Sequence, residues 1–234
     1  MKTKTYFNIS LLTFSLLLLS FLYSSAQWQW QNPYPTGHDL ESVFFIDENH
    51  GWIAVGSDIL ITSDGGINWE EKSTGVETTL EEICFTGLLN GWAAGTSGKI
   101  IHTSDGGNTW EAQVSGTETN LNCIFFTDEN NGWAAGGRYS SDGILLHTSN
   151  GGESWETQYD NTYGLHDICF IDQLNGWVVG SSLSSSGIAI LNTKNGGITW
   201  EQQYSGSDIN RLYSVSFTDS FNGWAVGGYH TGAS

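Results

Sequence analysis

The sequence predicts an all-β protein: a β-propeller of four-stranded antiparallel blades, with four full repeats and partial repeats at both ends. Two recurring markers and their spacing predict it. The first is an eight-residue turn, Thr-x-Asp/Asn-Gly-Gly-x-x-Trp, at Thr62–Trp69, Thr103–Trp110, Thr148–Trp155 and Thr193–Trp200. The second is Gly-Trp at Gly51-Trp52, Gly91-Trp92, Gly132-Trp133, Gly176-Trp177 and Gly223-Trp224, with the tryptophans 40, 41, 44 and 47 residues apart. Periods of that length with strand signals mark one propeller blade per repeat.

Each repeat reads as four strands. Nine and seven residues before each Gly-Trp tryptophan stand Val43/Phe45, Ile83/Phe85, Ile124/Phe126, Ile168/Phe170 and Val215/Phe217, an alternation of period two that predicts the first strand. A turn ending in Asn-Gly (His50-Gly51 in the first repeat) predicts a hairpin. The second strand carries the Trp and then small residues, as in Trp133-Ala134-Ala135-Gly136, which predicts tight packing between sheets. Short apolar runs at Ile59–Ile61, Ile100–His102, Leu145–His147 and Ile190–Asn192 give the third strand. The eight-residue turn follows, and its Trp is expected to be buried and to open the fourth strand. These readings set blades at about 40–74, 80–115, 121–160 and 165–205, with a partial one at 212–234.

The ends carry their own expectations. Residues 1–26 combine a basic start (Lys2, Lys4), a short apolar run from Ile9 to Leu22 and Ser24-Ser25-Ala26 before Gln27. They predict a signal peptide cleaved after Ala26, and so a secreted or periplasmic protein with no membrane insertion after cleavage. Residues 27–234 form the propeller domain. Trp30 matches the fourth-strand position, so residues 27–40 read as an outer strand without the three that precede it. Residues 229–234 stop before any eight-residue turn, so the recorded chain reads as C-terminally incomplete.

Removing the leader leaves five basic against 25 acidic residues, a net charge of −20. Such a surface disfavours nucleic acid and anionic lipid. The three cysteines, Cys84, Cys123 and Cys169, fall in successive repeats and read as buried free thiols.

Units of the form Leu-x-x-Val/Ile-x-Phe-x-Asp, then Gly-Trp-x-Ala/Val-Gly, then Thr-x-Asp-Gly-Gly-x-Thr-Trp resemble the photosystem II stability/assembly factor family. That family belongs to the wider group of Asp-box (bacterial neuraminidase repeat) propellers. In the first full repeat Leu40, Phe45, Asp47, Gly51, Trp52, Thr62, Asp64, Gly65, Gly66 and Trp69 carry the resemblance. It implies a propeller whose Asp-box turns lie away from the usual ligand face. The plant-type role it implies is a lumenal factor that binds a photosystem subunit through a basic patch, whereas residues 27–234 offer five basic residues.

Candidate chemistry divides between the two rims. The Asp-box residues Asp64, Gly66, Trp69, Asp105, Gly107, Trp110, Asn150, Gly152, Trp155, Asn195, Gly197 and Trp200 read as structural. One carboxylate per turn, replaced by an amide in two of the four, is too few for calcium, and no metal or cofactor is expected. On the opposite rim the starts of the first strands meet the loops between second and third strands. Glu41, Glu81, Glu82, His166, Asp167 and Tyr213, with Arg138 and Tyr139 from a lengthened loop, form the candidate binding rim, because variable loops on a rigid frame carry binding. The first functional reading is a non-catalytic scaffold for a protein or peptide, expected to be basic. The alternative is an Asp-box glycoside hydrolase, xyloglucanase- or sialidase-like, or a carbohydrate-binding propeller, with a carboxylate pair on this rim. A sialidase needs an arginine cluster, and after the leader the chain has Arg138 and Arg211 alone.

Overall fold

The computed structural model describes residues 38–137, 142–161, 164–182, 187–204 and 211–228, all within one compact unit, Pro35–Ser234. The first sheet contains β1 (Leu40–Phe45), β2 (Gly51–Val55), β3 (Asp58–Thr62) and β4 (Glu70–Ser73); the second contains β5 (Leu80–Phe85), β6 (Gly91–Gly95), β7 (Ile100–Thr103) and β8 (Glu111–Gln113). The third contains β9 (Leu121–Phe126), β10 (Gly132–Gly136), β11 (Gly143–Thr148) and β12 (Glu156–Asn161). The fourth contains β13 (Gly164–Phe170), β14 (Gly176–Ser182), β15 (Gly187–Thr193) and β16 (Glu201–Tyr204), and β17 (Arg211–Phe217) with β18 (Gly223–Gly228) makes a two-stranded fifth. Every sheet is an antiparallel meander in chain order. The first strands of successive sheets pack beside one another, which makes them the inner strands of propeller blades. The expected signal peptide at residues 1–26, Trp30 with its expected outer strand, and residues 229–234 lie outside the described residues.

One contact repeats at every seam between blades. The Gly-Trp tryptophan stacks flat on the first-strand phenylalanine of the next blade: Trp52 on Phe85 at 3.7 Å, Trp92 on Phe126 at 3.7 Å, Trp133 on Phe170 at 3.9 Å and Trp177 on Phe217 at 3.6 Å. These four tryptophans are buried. Burial of two large apolar rings per seam is the main adhesive between sheets.

The glycines beside these rings have reasons the pattern alone did not reveal. Gly51, Gly91, Gly132, Gly176 and Gly223 do not build a tight left-handed hairpin turn, since none has positive φ. The loop is five residues long, Ile46–His50 in the first blade, and Asp47 Oδ1 accepts the amides of Asn49 and His50. The glycine instead makes room for a ring: a Cβ on Gly91 would sit 2.4 Å from Phe85 in the paired strand. The later glycine, Gly95, is also explained within its own blade, because a Cβ there would meet Thr79 O at 2.0 Å.

The turn tryptophans depart from expectation as well. Trp69, Trp110, Trp155 and Trp200 are half-buried and precede the fourth strand, which starts one residue later. Each meets the first-strand phenylalanine of its own blade edge-on at 6.0 to 6.1 Å: Phe45 with Trp69, Phe85 with Trp110, Phe126 with Trp155, Phe170 with Trp200. They cap the seam ring from its open side, and so keep one edge in solvent.

Candidate functional site

All five blades share an irregularity at the start of the first strand. Pairing with the second strand skips one residue: Leu40 faces Val55 and Ser42 faces Ala54, leaving Glu41 out. Glu81, Asn122, His166 and Tyr213 are skipped in the same way. These are β-bulges, which bend the strand and re-aim a side chain. In four blades a carbonyl two residues before the bulged one crowds the facing glycine: a Cβ on Gly95, Gly136, Gly180 or Gly227 would stand 1.9 to 2.2 Å from the oxygen of Thr79, Asn120, Gly164 or Arg211.

The bulge divides the predicted rim pairs into two roles. The first residue of each pair is the bulged one: Glu41 and Tyr213 are exposed, and Glu81, Asn122 and His166 are half-buried. The second residue reaches across the seam to an amide of the next blade. Ser42 Oγ accepts from Ile83 N at 3.4 Å, and Glu82 Oε2 from Ile124 N at 2.7 Å. Asp167 Oδ2 accepts from Val215 N and the Ser214 hydroxyl, both at 2.7 Å, while its Oδ1 takes the Ile168 amide at 2.8 Å. Cys123, at the same position, points its thiol at Ala135 O within its own blade. Glu82 and Asp167 therefore hold blades together.

Electrostatics separate the rim into sectors. Burial first, and the Glu41 charge second, raise the Glu81 carboxyl above its ordinary range. Glu82 keeps partial exposure of the residue, but burial of its carboxyl pushes it up to about 8 against the lowering effect of the Ile124 amide, with Asp167 adding to the rise. Burial also raises Asp167, although three donors oppose it. The His166 imidazole is lowered by burial and then by the Arg211 charge, so it is neutral at pH 7. Its Nε2 lies 2.7 Å from Ser181 Oγ, and its ring is 5.9 Å from that of Tyr213. Blades one and two thus present carboxyls, and blades four and five present a neutral imidazole beside a phenol.

Two residues absent from the predicted set belong here. Asn122 donates through Nδ2 to Gly137 O and, across the seam, to Leu165 O. Arg211 is buried, and its charge adds to burial in lowering the His166 imidazole. The equivalence of Asn122 with Glu41 and Glu81 in the repeat was the signal for the first; nothing in the sequence marks the second. Arg138 and Tyr139 lie outside the described residues.

The opposite rim holds the eight-residue turns. Thr62 Oγ1 donates to Asp64 Oδ1 and accepts the Gly66 amide, and Asp64 Oδ1 also accepts the Asn68 amide four residues on. Asn150 and Asn195 reproduce the bonds through their amide oxygens. The first glycine of each turn donates to the hairpin loop of its own blade, as Gly106 N does to Leu89 O. A cleft of about 550 Å³ lies on this side between blades three and four, lined by Phe125, Phe170, Ile171 and Leu174 among others. Its one carboxylate, Asp172, is bound by Asn175, so the cleft offers apolar surface and little chemistry. Among the described residues no cluster of three or more His, Cys, Asp or Glu is placed to hold a metal, and no helix is long and apolar enough to cross a membrane. The three cysteines are free thiols, with Cys84 and Cys123 buried and Cys169 half-buried.

Antiparallel four-stranded blades joined by a repeated aromatic stack define a β-propeller, and comparisons with known proteins agree. The chain resembles the WD40 β-propeller domain of Doa1 (12% identity over 82% of this chain and 62% of that one, TM-score 0.60). It also resembles the GH74 xyloglucanase from Xanthomonas campestris (10% identity over 77% of this chain and 34% of that one, TM-score 0.60). The chain spans about a third of that enzyme, and the likeness is one of fold. A structure of YCF48 bound to a D1 peptide matches at 16% identity over 83% of this chain and 92% of that one, with a TM-score of 0.46. No curated protein matches. Two overlapping stretches, residues 22–112 and 73–162, match the family described as photosynthesis system II assembly factor YCF48, and together they span more than half of the sequence. The chain belongs to that family.

Proposed function

We propose that this protein is an exported, non-catalytic β-propeller that holds a protein or peptide partner on the bulged rim. The observation that carries this reading is the bulge itself: five blades each set one polar or aromatic residue at the same position, Glu41, Glu81, Asn122, His166 and Tyr213. A scaffold that repeats one re-aimed side chain per blade gathers residues up to 172 positions apart in sequence, Glu41 and Tyr213, at one end of the inner strands. Membership of a family described as an assembly factor supports a protein partner over a small substrate. The sequence of residues 1–26 supports export.

The partner is basic. Glu41 and Glu81 form the charged sector, and a Lys or Arg placed between them would relieve their mutual repulsion. The glycoside hydrolase reading would draw on the carboxyls of Glu82 and Asp167. Both accept backbone amides across seams, and an engaged seam carboxylate is poorly placed to reach a glycosidic bond.

Affinity capture with the full chain, wild type against Glu41→Lys/Glu81→Lys, tests the reading. Captured protein should be lost in the double variant with circular dichroism unchanged, and wild-type binding should weaken as salt rises. Capture unaffected by the double variant would move the site off this rim. Release of sugar from xyloglucan by the purified chain, abolished in Glu82→Gln, would replace the scaffold reading with the enzymatic one.

A further inference from the structure

Phe125 and Leu174 stand at repeat positions that Cys84 and Asn130 hold one seam earlier. Cys84 and Phe125 are each the last residue but one of a first strand, and Asn130 and Leu174 are each fourth in a five-residue hairpin loop. The exchange makes the foot of the seam between blades three and four apolar. Phe125 lies against Phe170, ring centroids 5.9 Å apart and planes at 28°, and these rings with Ile171 and Leu174 line the cleft of about 550 Å³. Leu174 is 55% exposed, and Ile198, in the turn whose Gly196 amide donates to Leu174 O, is 80% exposed. Apolar side chains gathered at one cleft and rimmed by polar groups mark an interaction surface.

The lip of this cleft is anionic and held in place. Gln173 Nε2 donates to Asp128 Oδ2 at 2.8 Å and ties the hairpin loops of blades three and four together. Asp172 Oδ1 accepts the Leu174 and Asn175 amides, and both its oxygens accept Asn175 Nδ2. The Asn175 side chain first, and its amide second, hold Asp172 below the ordinary carboxylate range. Burial works to raise Asp128, but the Asn131 side chain and amide outweigh it, and that carboxyl is lowered too. Both are therefore ionised at pH 7. These donors are neutral amides, which fix the carboxylates without cancelling their charge. Across the five hairpin loops and four turns of this rim, nine Asp or Glu stand against one lysine, Lys194.

We infer that this cleft docks a segment of a partner protein in which a bulky apolar side chain is flanked by lysine or arginine. The apolar side chain enters between Phe125, Phe170 and Leu174, as anchors of an interface fill pockets, and the flanking cations meet Asp128 and Asp172. Charge complementarity selects this occupant: an acidic segment is repelled, and so is a second copy of this chain presenting the same anionic rim. The surface lies at the opposite end of the first strands from the bulged residues and does not rest on the reading of that rim.

Three fluorescein-labelled peptides, titrated into the full chain and read by anisotropy, test it: Lys-Lys-Leu-Phe-Lys-Lys, Lys-Lys-Ser-Ser-Lys-Lys and Glu-Glu-Leu-Phe-Glu-Glu. The first should bind about tenfold more tightly than either of the others. Leu174→Ser should weaken it about fivefold. Asp172→Asn, which keeps an oxygen for the two backbone amides, should weaken it about threefold, a loss that vanishes at high salt. Glu41→Lys/Glu81→Lys should leave the preference for the first peptide over the second intact, which separates this surface from the bulged rim. A photoreactive leucine in the first peptide should crosslink within residues 125–127 or 170–174, a result that stands even where a variant fails to fold. Equal binding of the acidic peptide, no binding of any peptide, unchanged affinity in Leu174→Ser, or crosslinks that map elsewhere each overturn the inference. So does self-association of wild type that Leu174→Ser abolishes, because a second copy would then occupy the cleft.

Discussion

Trp92 lies flat on Phe126 at 3.7 Å and 11°, and its indole Nε1 donates to Gly151 O at 3.0 Å in the eight-residue turn of the next blade. One side chain thus joins two blades twice, once through its face and once through its edge. Trp52 does the same with Phe85 and Gly106 O. Trp133 keeps the stack on Phe170, but its buried Nε1 has no hydrogen-bond partner.

That difference separates two otherwise equivalent substitutions. Trp92→Phe should cost roughly 2–3 kcal/mol, combining lost volume with a lost bond. Trp133→Phe should cost about 1 kcal/mol less, since no bond is lost and an unsatisfied donor is removed. Urea unfolding of both variants checks this; equal costs would mean that the indole bond contributes nothing to the seam.

The eight-residue turns should tolerate acid-to-amide exchange but not truncation. Asn150 makes through its amide oxygen the same two bonds that Asp64 makes through its carboxylate, to the turn threonine and to the amide four residues on. Asn150→Asp and Asp64→Asn should leave the melting temperature within about 2 °C, and neither should make it respond to calcium or chelator. Asn150→Ala loses both bonds and should cost about 1–2 kcal/mol, or roughly 2–8 °C for a domain of this size. A calcium-dependent shift abolished by Asp64→Asn would make the turn a metal site.

Gly95→Ala isolates the bulge. The new Cβ would stand 2.0 Å from Thr79 O, a backbone atom that moves only with the strand, so the expected cost is about 2–3 kcal/mol. Gly56→Ala meets nothing within 4 Å and costs only its positive φ of 57°, about 1 kcal/mol. Thermal melts of the pair should rank them in that order.

Repeat arithmetic made the architecture legible, because the same residues return every 40 to 47 positions and one blade can be read against the next. The pair Glu81-Glu82 shows where such reading stops. Period and composition place both at the start of an inner strand, and both are acidic. Which of them faces the rim depends on a one-residue slip in pairing, Leu80 to Gly95 and then Glu82 to Ala94, and a slip of one exchanges the two faces of a strand. Gly91 was noticed for the opposite reason to its actual one. Asn-Gly is a hairpin signal, yet here the glycine answers to a ring on the neighbouring strand, a contact between residues six apart that no local turn rule contains. Arg211 beside His166 brings together two elements 45 residues apart, with no repeat equivalent to advertise it.

The seam carboxyl of Glu82 should give the fold a pH dependence of defined sign. Its folded value, pushed up to about 8, stands above the ordinary 4.5, so the folded state binds the proton more tightly than the unfolded chain. The stabilising contribution of the neutral acid is complete below about pH 4.5 and is lost as pH rises toward 8. Glu82→Gln keeps an oxygen for the Ile124 amide and cannot ionise. The variant should match wild type near pH 4.5 and exceed it at pH 9, by on the order of 2–3 kcal/mol once partial exposure is allowed for. Comparing the two proteins across this range cancels the titration of the other acids, which both share. A difference between them that is flat from pH 4.5 to 9 would mean that Glu82 is ionised throughout, and that its bond to Ile124 is a charged one.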